Sequence, residues 1–232
     1  MDIQHLPTPA LILDMDVFEK NMATMNAFLA NTSMKLRPHY KSSKCTAIAH
    51  MQIAAGAIGL SCAKLSEAED LADAGIEDIL IANQVTDRAK VARVARLAQC
   101  CRLTVCVDSA QNIADLSSTA VYQGSTIHCL VEYEIGMRRC GVGTKEEAYA
   151  LARHIADSPG LVFDGIQAYA GHLSHEVDYH IRQAESAKIE VRLRELLDFL
   201  HSKGLPPREV SGVSTGTVEF RPQDTVYTEI QA

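Results

Sequence analysis

The sequence lacks several features that mark particular classes of protein. No apolar run approaches the length of a membrane-spanning helix, and the first residues have neither the basic start nor the apolar middle of a secretion signal. Acidic residues outnumber basic ones, so the net charge of −7 argues against nucleic acid as a partner. Tryptophan is absent and aromatic residues make up 5% of the chain, but this composition does not distinguish between classes of function.

The cysteine pattern also lacks the signs of cross-linking. The seven cysteines are an odd number, and no two of them form a Cys-x-x-Cys pair. We therefore expect neither a disulfide framework nor a structural zinc site, and we predict a reduced, cytoplasmic protein.

Apolar, strand-like runs alternate with helical patterns along all 232 residues, of which 47% are hydrophobic. This alternation indicates an α/β fold with a parallel sheet covered on both faces. A count of eight strands favours a (β/α)8 barrel, and an open doubly wound sheet is the runner-up. The predicted strands cover residues 10–14, 34–39, 58–63, 78–82, 103–107, 128–135, 161–169 and 208–212.

A cationic segment, Arg37-Pro-His-Tyr-Lys41, ends the second predicted strand. Side chains alternate along a strand, so Arg37, His39 and Lys41 share one face. If that face points into a barrel mouth, the ammonium form of Lys41 is disfavoured beside two other cationic groups. Its amine is then more nucleophilic, as a Schiff base with an aldehyde requires. The alternative is a solvated basic edge or an anion-binding patch, which these residues taken alone favour.

Polar side chains also follow the other predicted strands, at the edge where barrels carry their chemistry. After the last strand, residues 211–217 combine glycines with hydroxyl side chains, which can bond a phosphate, although a plain turn is the alternative. Combined with Lys41, this stretch suggests a phosphorylated aldehyde cofactor, pyridoxal phosphate. The polar residues at the earlier strand ends are Lys64, Asn83, Gln84, Asp108, Glu134, Arg138, Arg139, Gln167, Tyr169 and His172.

One histidine-rich segment has the composition of a metal site. It contains His172, His175 and His180 together with Glu176 and Asp178. Residues 170–178 include a glycine and are typical of a loop, so the spacing of helical metal ligands is not assured. We therefore assign no metal ligand and interpret the segment as a solvated polar loop.

Six segments together resemble the D-threonine aldolase and D-serine dehydratase group. These are fold-type III pyridoxal phosphate enzymes with an alanine racemase-like barrel. The resemblance covers essentially the whole chain and is nearer to the aldolases, including D-3-hydroxyaspartate aldolases. The segments are residues 8–14, 37–44, 63–69, 134–142, 167–172 and 211–216.

The resemblance implies a role for individual residues. Lys41 would be the Schiff-base lysine, with His39 beside it in the catalytic set. Arg139 would belong to the catalytic set and lie near the cofactor ring, where an arginine keeps the pyridine nitrogen unprotonated. Tyr169 would face the cofactor. The phosphate would be held by Ser211, Gly212, Thr215 and Gly216.

The chain departs from the family pattern in two respects. Val213 and Ser214 stand where glycines are usual. Family members also continue into a mainly β domain with a His-x-Asp or His-x-Cys pair that binds a divalent metal, and neither motif occurs here. We therefore predict a barrel over residues 1–217 and interpret residues 218–232 as the poorly ordered start of a missing C-terminal β domain.

The function that the resemblance implies is that of a lyase. It would cleave D-3-hydroxy amino acids such as D-threonine into glycine and an aldehyde, and the full-length protein would be a homodimer. A dehydratase that forms pyruvate and ammonia, a racemase, a non-catalytic carrier of pyridoxal phosphate and a barrel without cofactor are the alternatives. Since the family's metal ligands are missing, we expect the 232-residue chain to bind the cofactor weakly and to be nearly inactive.

Overall fold

The structure, a computed structural model, describes residues 5–221 and 223–232. Parallel β-strands and α-helices alternate through this part of the chain. In chain order they are α1 (Met15–Leu29), β1 (Lys35–Leu36), α2 (Thr46–Ala54), β2 (Leu60–Cys62), α3 (Leu65–Asp73), β3 (Asp78–Ile81), α4 (Arg88–Leu97), β4 (Arg102–Val107), α5 (Ala110–Gln123), β5 (Ile127–Glu132), α6 (Lys145–Asp157), β6 (Leu161–Ala168), α7 (Tyr179–Ser202), β7 (Glu209–Gly212) and β8 (Glu229–Ile230).

The eight strands form one sheet that closes on itself. Neighbouring strands follow the order β1, β8, β7, β6, β5, β4, β3, β2, and every pairing is parallel. The two outer strands then meet: Leu36 O accepts from Ile58 N–H at 3.0 Å, and Tyr40 N–H donates to Ser61 O at 2.8 Å. The predicted (β/α)8 barrel is therefore confirmed.

Two strand predictions need correction. Residues 10–14 are not a strand, and Leu11 there is 98% exposed. The eighth strand is β8, which lies between β7 and β1, where Glu229 is in register with both Ser211 and Lys35. Residues 229–230 thus belong to the sheet of the barrel, although they follow the boundary that we placed at residue 217.

Local sequence signals explain where the helices begin and end. The side chain of Asp14 accepts from Val17 N–H and caps α1. At α6, Thr144 and Glu147 form a reciprocal capping box. Helix α5 ends at Gly124, whose φ of 66° lies in the left-handed region that glycine adopts without strain.

The apolar core lies mainly between the sheet and the surrounding helices. Alternate strand residues such as Ile79, Val105 and Cys129 are fully buried in this layer with helix residues such as Leu116. Residues of opposite alternation point to the barrel interior, where Leu80, Cys106 and Leu130 form a separate small cluster. None of the helices that the structure describes is long and apolar enough to cross a membrane.

A network of ion pairs occupies the N-terminal end of the barrel. Arg102 joins Asp78, Asp164 and Glu209 across several strands. Arg37 belongs to the same network, because its Nη1 donates to Asp78 Oδ1 at 2.6 Å. Charged groups of opposite sign are therefore paired at this partly exposed end of the barrel, and Arg37 and Asp164 are its buried members.

Candidate active site

A cavity of about 950 Å3 opens at the C-terminal ends of the strands. Its polar wall includes Lys41, His39 and Tyr169 on one side and Ser214, Thr215 and Gly216 on another. Apolar side chains from the segment before α1, from the start of α1 and from α2 also line the cavity, namely Leu11, Ile12, Leu13, Met15, Phe18, Ala47, Ile48 and Met51. The predicted strand at 10–14 is therefore part of the cavity wall.

Lys41 carries the amine that is best placed for nucleophilic chemistry. It lies in the loop after β1, and its Nζ is 5.8 Å from the centroid of the Tyr169 ring. Among the described residues, Lys41 has no carboxylate partner within salt-bridge distance. An amine that opens into a cavity without a counter-ion is available to a ligand.

The imidazole of His39 contacts the backbone of this lysine. Its Nδ1 accepts a hydrogen bond from the backbone N–H of Lys41 at 3.2 Å. Burial, together with the positive charge of Lys41, lowers the pKa of His39 to about 4. The imidazole is therefore neutral at physiological pH and adds no positive charge beside the amine.

Arg37 does not join this cluster, contrary to the prediction from strand alternation. Its side chain is 2% exposed, and Nε donates to Glu229 Oε2 at 2.8 Å. Strand alternation predicted the correct face for Arg37. In the structure, however, its side chain lies one layer deeper in the barrel than those of His39 and Lys41. There Asp78 and Glu229 balance its charge.

The predicted phosphate residues separate into two groups. Ser211 and Gly212 lie in β7, are buried, and are not part of the cavity wall. A Cβ on Gly212 would lie 2.2 Å from the carbonyl oxygen of Ala168, so the glycine there serves the close approach of β6 and β7. Thr215 and Gly216, in contrast, line the cavity.

The turn that contains Thr215 and Gly216 has free hydrogen-bond donors. Within residues 5–221 and 223–232, the backbone N–H groups of Thr215 and Gly216 have no hydrogen-bond acceptor. Ser214 holds the turn in place, because its N–H donates to Thr217 Oγ1 and its hydroxyl contacts Ser174 Oγ at 2.8 Å. Unpaired amides beside hydroxyl groups form a concavity suited to an anion.

Val213 adopts an unfavourable backbone conformation in this turn. Its φ is 58°, in the left-handed region that a β-branched residue rarely adopts, and its side chain is buried. Glycine, the usual residue of the family pattern, adopts that conformation freely. The chain therefore keeps the backbone path of a glycine at this position.

A small recess in the cavity floor brings together further polar residues. Arg139 and Gln167 line it together with Lys41, Tyr169 and Gln231. The side-chain amide of Gln231 is fixed, because Nε2 donates to Gln167 Oε1 and to Ser211 Oγ, both at 2.8 Å.

Gln231 was missed in the sequence because residues 218–232 were assigned to another domain. The signal that could have found it is a polar residue directly after the short strand Glu229–Ile230.

The loop that carries Arg139 is shaped by two acidic side chains. Glu134 accepts from the N–H groups of Gly136 and Arg138, at 2.6 and 2.7 Å. Asp108 accepts from Gly141 N–H at 3.1 Å. These bonds hold Arg139 at the edge of the cavity.

The histidine-rich segment offers no metal site. Residues Gly171–His175 form a short 3-10 helix, and Leu173 is buried, so the segment is more ordered than the solvated loop that we predicted. In the described part of the chain, no group of three or more His, Cys, Asp or Glu side chains could hold a metal ion.

Comparisons with known proteins agree with this geometry. The sequence model of the family described as "Alanine racemase, N-terminal domain" matches residues 13–232. A 3-hydroxy-D-aspartate aldolase of Paracoccus denitrificans (strain Pd 1222) is 40% identical over 100% of this chain and 60% of its own length. A D-threo-3-hydroxyaspartate dehydratase of Delftia sp. (strain HT23) is 30% identical over 98% of this chain and 60% of its own.

A solved structure is also similar. The crystal structure of D-threonine aldolase from Filomicrobium marinum superimposes with a TM-score of 0.96 and 42% sequence identity. The match covers 99% of this chain and 62% of that one. The chain thus spans about 60% of the length of the curated relatives that it matches.

Proposed function

The chain belongs to the alanine racemase N-terminal domain family, and we propose that it is the cofactor-binding barrel of a pyridoxal phosphate-dependent lyase. The proposed reaction splits a D-configured 3-hydroxy amino acid into glycine and an aldehyde. The observation that carries the proposal is one cavity that holds the unpaired amine of Lys41 and the free N–H groups of Thr215 and Gly216. The relatives named as aldolases support the choice of reaction.

The residues fit a ligand that carries an aldehyde and a phosphate. Lys41 would bind the aldehyde carbon through its amine. The turn at Ser214, Thr215 and Gly216 would bind the phosphate through N–H and hydroxyl groups. When bound, pyridoxal phosphate supplies an electron sink for the pair released as the Cα–Cβ bond breaks.

The side chains around Lys41 would prepare the site for this ligand. Neutral His39 fixes the backbone at Lys41 and keeps a second positive charge away from the amine. The ring of Tyr169 forms one side of the recess, and Arg139 and Gln231 form its floor. Arg139 supplies a positive charge that can hold an anionic group of the cofactor or substrate.

A metal ion does not fit the described residues, because they form no suitable cluster. No step of the proposal therefore passes through a metal. We keep the expectation that the 232-residue chain binds the cofactor weakly and is nearly inactive.

Two further properties belong to this proposal. The family resemblance suggests a homodimer, which sedimentation equilibrium would test. The seven cysteines are free, which suits a reducing compartment such as the cytoplasm.

Product analysis tests the reaction. The chain would be incubated with pyridoxal phosphate and D-threonine, with L-threonine and the Lys41→Ala variant as controls. We expect glycine and acetaldehyde from D-threonine but not from L-threonine, and only when Lys41 is present. Pyruvate and ammonia from D-serine, without glycine from D-threonine, would instead indicate a dehydratase. A Lys41-dependent absorbance band that no amino acid alters would indicate a carrier.

A further inference from the structure

A buried carboxyl group lies behind the cavity floor and has no part in the proposed reaction. Glu132 is the last residue of β5, and its side chain is 5% exposed. Its Oε1 is 3.7 Å from Nη2 of Arg139, whose side chain is 47% exposed. In the described part of the chain, Glu132 is the only acidic side chain within 4 Å of the nitrogens of this guanidinium.

Several elements pack around Glu132. Gln84, in the loop after β3, has its Nε2 3.5 Å from Oε2. The thiols of Cys106 in β4 and Cys140 in the loop after β5 favour the charged form of the carboxyl, and Asp108 acts on it as a second acidic group. Burial raises the pKa of Glu132 to about 7, a rise that the guanidinium and the thiols oppose and Asp108 reinforces. Glu132 therefore changes charge in the neutral range.

We propose that Glu132 is a positioning residue that acts through Arg139: its carboxylate holds the guanidinium at the cavity floor beside Lys41. The inference rests on the proposed function, because that function gives Arg139 a ligand to contact. A half-exposed arginine side chain has many rotamers, and an ion pair at its end restricts them. Because Glu132 is buried, water and salt screen the pair only weakly. Loss of its charge frees Arg139 to move towards solvent.

The titration of Glu132 tests this contact with no cofactor present. The carbon-13 carboxyl signal of labelled glutamate, assigned through Glu132→Gln, should titrate with a midpoint near pH 7. Arg139→Met should move the midpoint upward, because it removes the positive charge that favours the carboxylate. A midpoint that is the same with and without Arg139 would overturn the proposal.

Cofactor affinity tests the consequence of the contact. Spectral titration with pyridoxal phosphate should show that Glu132→Gln weakens binding about tenfold well above pH 7, as expected for loss of one charge-assisted contact, and little well below it. Glu132→Asp should restore part of the affinity. In the Arg139→Met background, Glu132→Gln should have no further effect. The exposed residue Glu146 in α6 provides the matched control, Glu146→Gln, which should leave affinity unchanged.

The outcomes separate this proposal from the proposed function. If Glu132→Gln weakened binding equally above and below pH 7, or equally in the parent and in the Arg139→Met background, the positioning role would be contradicted. The proposed lyase function would not be affected by that result. Absence of any Lys41-dependent band would contradict the proposed function. The carboxyl titration would still decide whether Glu132 holds Arg139.

Discussion

Replacing Arg37 by methionine would remove the positive charge that joins three strands at the closure of the barrel. Arg37 follows β1 and pairs with Asp78 in β3 and with Glu229 in β8. The side chain of Glu229 is 2% exposed, and its Oε1 has no hydrogen-bond partner in the described residues. The variant Arg37→Met therefore leaves a buried carboxylate that has no other partner among residues 5–221 and 223–232.

The size of the effect follows from the burial of this pair. Breaking a buried ion pair costs about 3–5 kcal/mol, because an uncompensated charge stays behind. For a domain of this size each kcal/mol lowers the melting temperature by about 2–4 °C, so a fall of roughly 6–20 °C is expected. The variant Lys41→Met is the matched control from the same segment. Since Lys41 has no carboxylate partner in the part of the chain that the structure describes, its loss should change stability by about 0.5 kcal/mol or less.

Urea denaturation followed by far-ultraviolet circular dichroism measures these differences. In the double variant Arg37→Met, Glu229→Gln, the buried charge is absent, so the combined cost should be smaller than the sum of the single costs. Additive costs, or an Arg37→Met variant as stable as Lys41→Met, would refute the assignment of Arg37 to the barrel closure.

Three further predictions concern packing, protonation and the cavity floor. Gly165→Ala should destabilise the protein by several kcal/mol (about 3 or more), because its Cβ would lie 1.8 Å from the carbonyl oxygen of Glu209, whereas Gly143→Ala meets nothing within 4 Å and should be neutral. The pKa of His39 is lowered to about 4 in the folded state, against about 6.5 in an unfolded chain, so its stabilising effect is complete above pH 6.5 and is lost as the pH falls towards 4. In urea denaturation, His39→Gln should therefore show a smaller loss of stability over that range than the parent chain. Gln231→Leu should lower the free energy of unfolding by about 1–3 kcal/mol, because buried acceptors lose their donor.

Each of these predictions has a result that would count against it. Equal stability of Gly165→Ala and Gly143→Ala would mean that β6 and β7 are farther apart than described. An unchanged acid profile for His39→Gln would mean that the pKa of His39 is the same in the folded and the unfolded chain. A Gln231→Leu variant as stable as the parent would mean that the amide is not fixed in the floor.

The fold was largely predictable because the strands that were found share one signal. Runs such as Leu103–Val107 are mostly apolar and lie between helices with clear N-caps, here Asp87 for α4 and Ser109 for α5. The run at 10–14 has the same apolar character but forms part of the cavity wall. Composition alone therefore could not distinguish a buried strand from a segment that lines a cavity. Strand β8 has two residues, and only its pairing with β7 and β1 identifies it.

The residue types of the candidate site were predictable from the sequence, but the layer of the barrel in which each side chain lies was not. Sequence reasoning placed Lys41, Thr215 and Tyr169 at one edge of the sheet, and the structure brings them to one cavity. Alternation gives the face of a side chain but not its layer, which is why Arg37 was placed at the mouth. The charge state of Glu132 could not be read from the sequence, because it depends on burial and on groups that the fold brings from β4 and from the loop after β5.

The central claim is that Lys41 binds the carbonyl of pyridoxal phosphate in a cavity whose other end holds the phosphate. The most direct test is a visible absorbance spectrum after addition of pyridoxal phosphate to the parent chain and to Lys41→Ala. The account predicts a new band that depends on Lys41 and that weakens when inorganic phosphate competes at the Thr215–Gly216 turn. A parent chain that gives no band, or a band that is the same in Lys41→Ala, would contradict it.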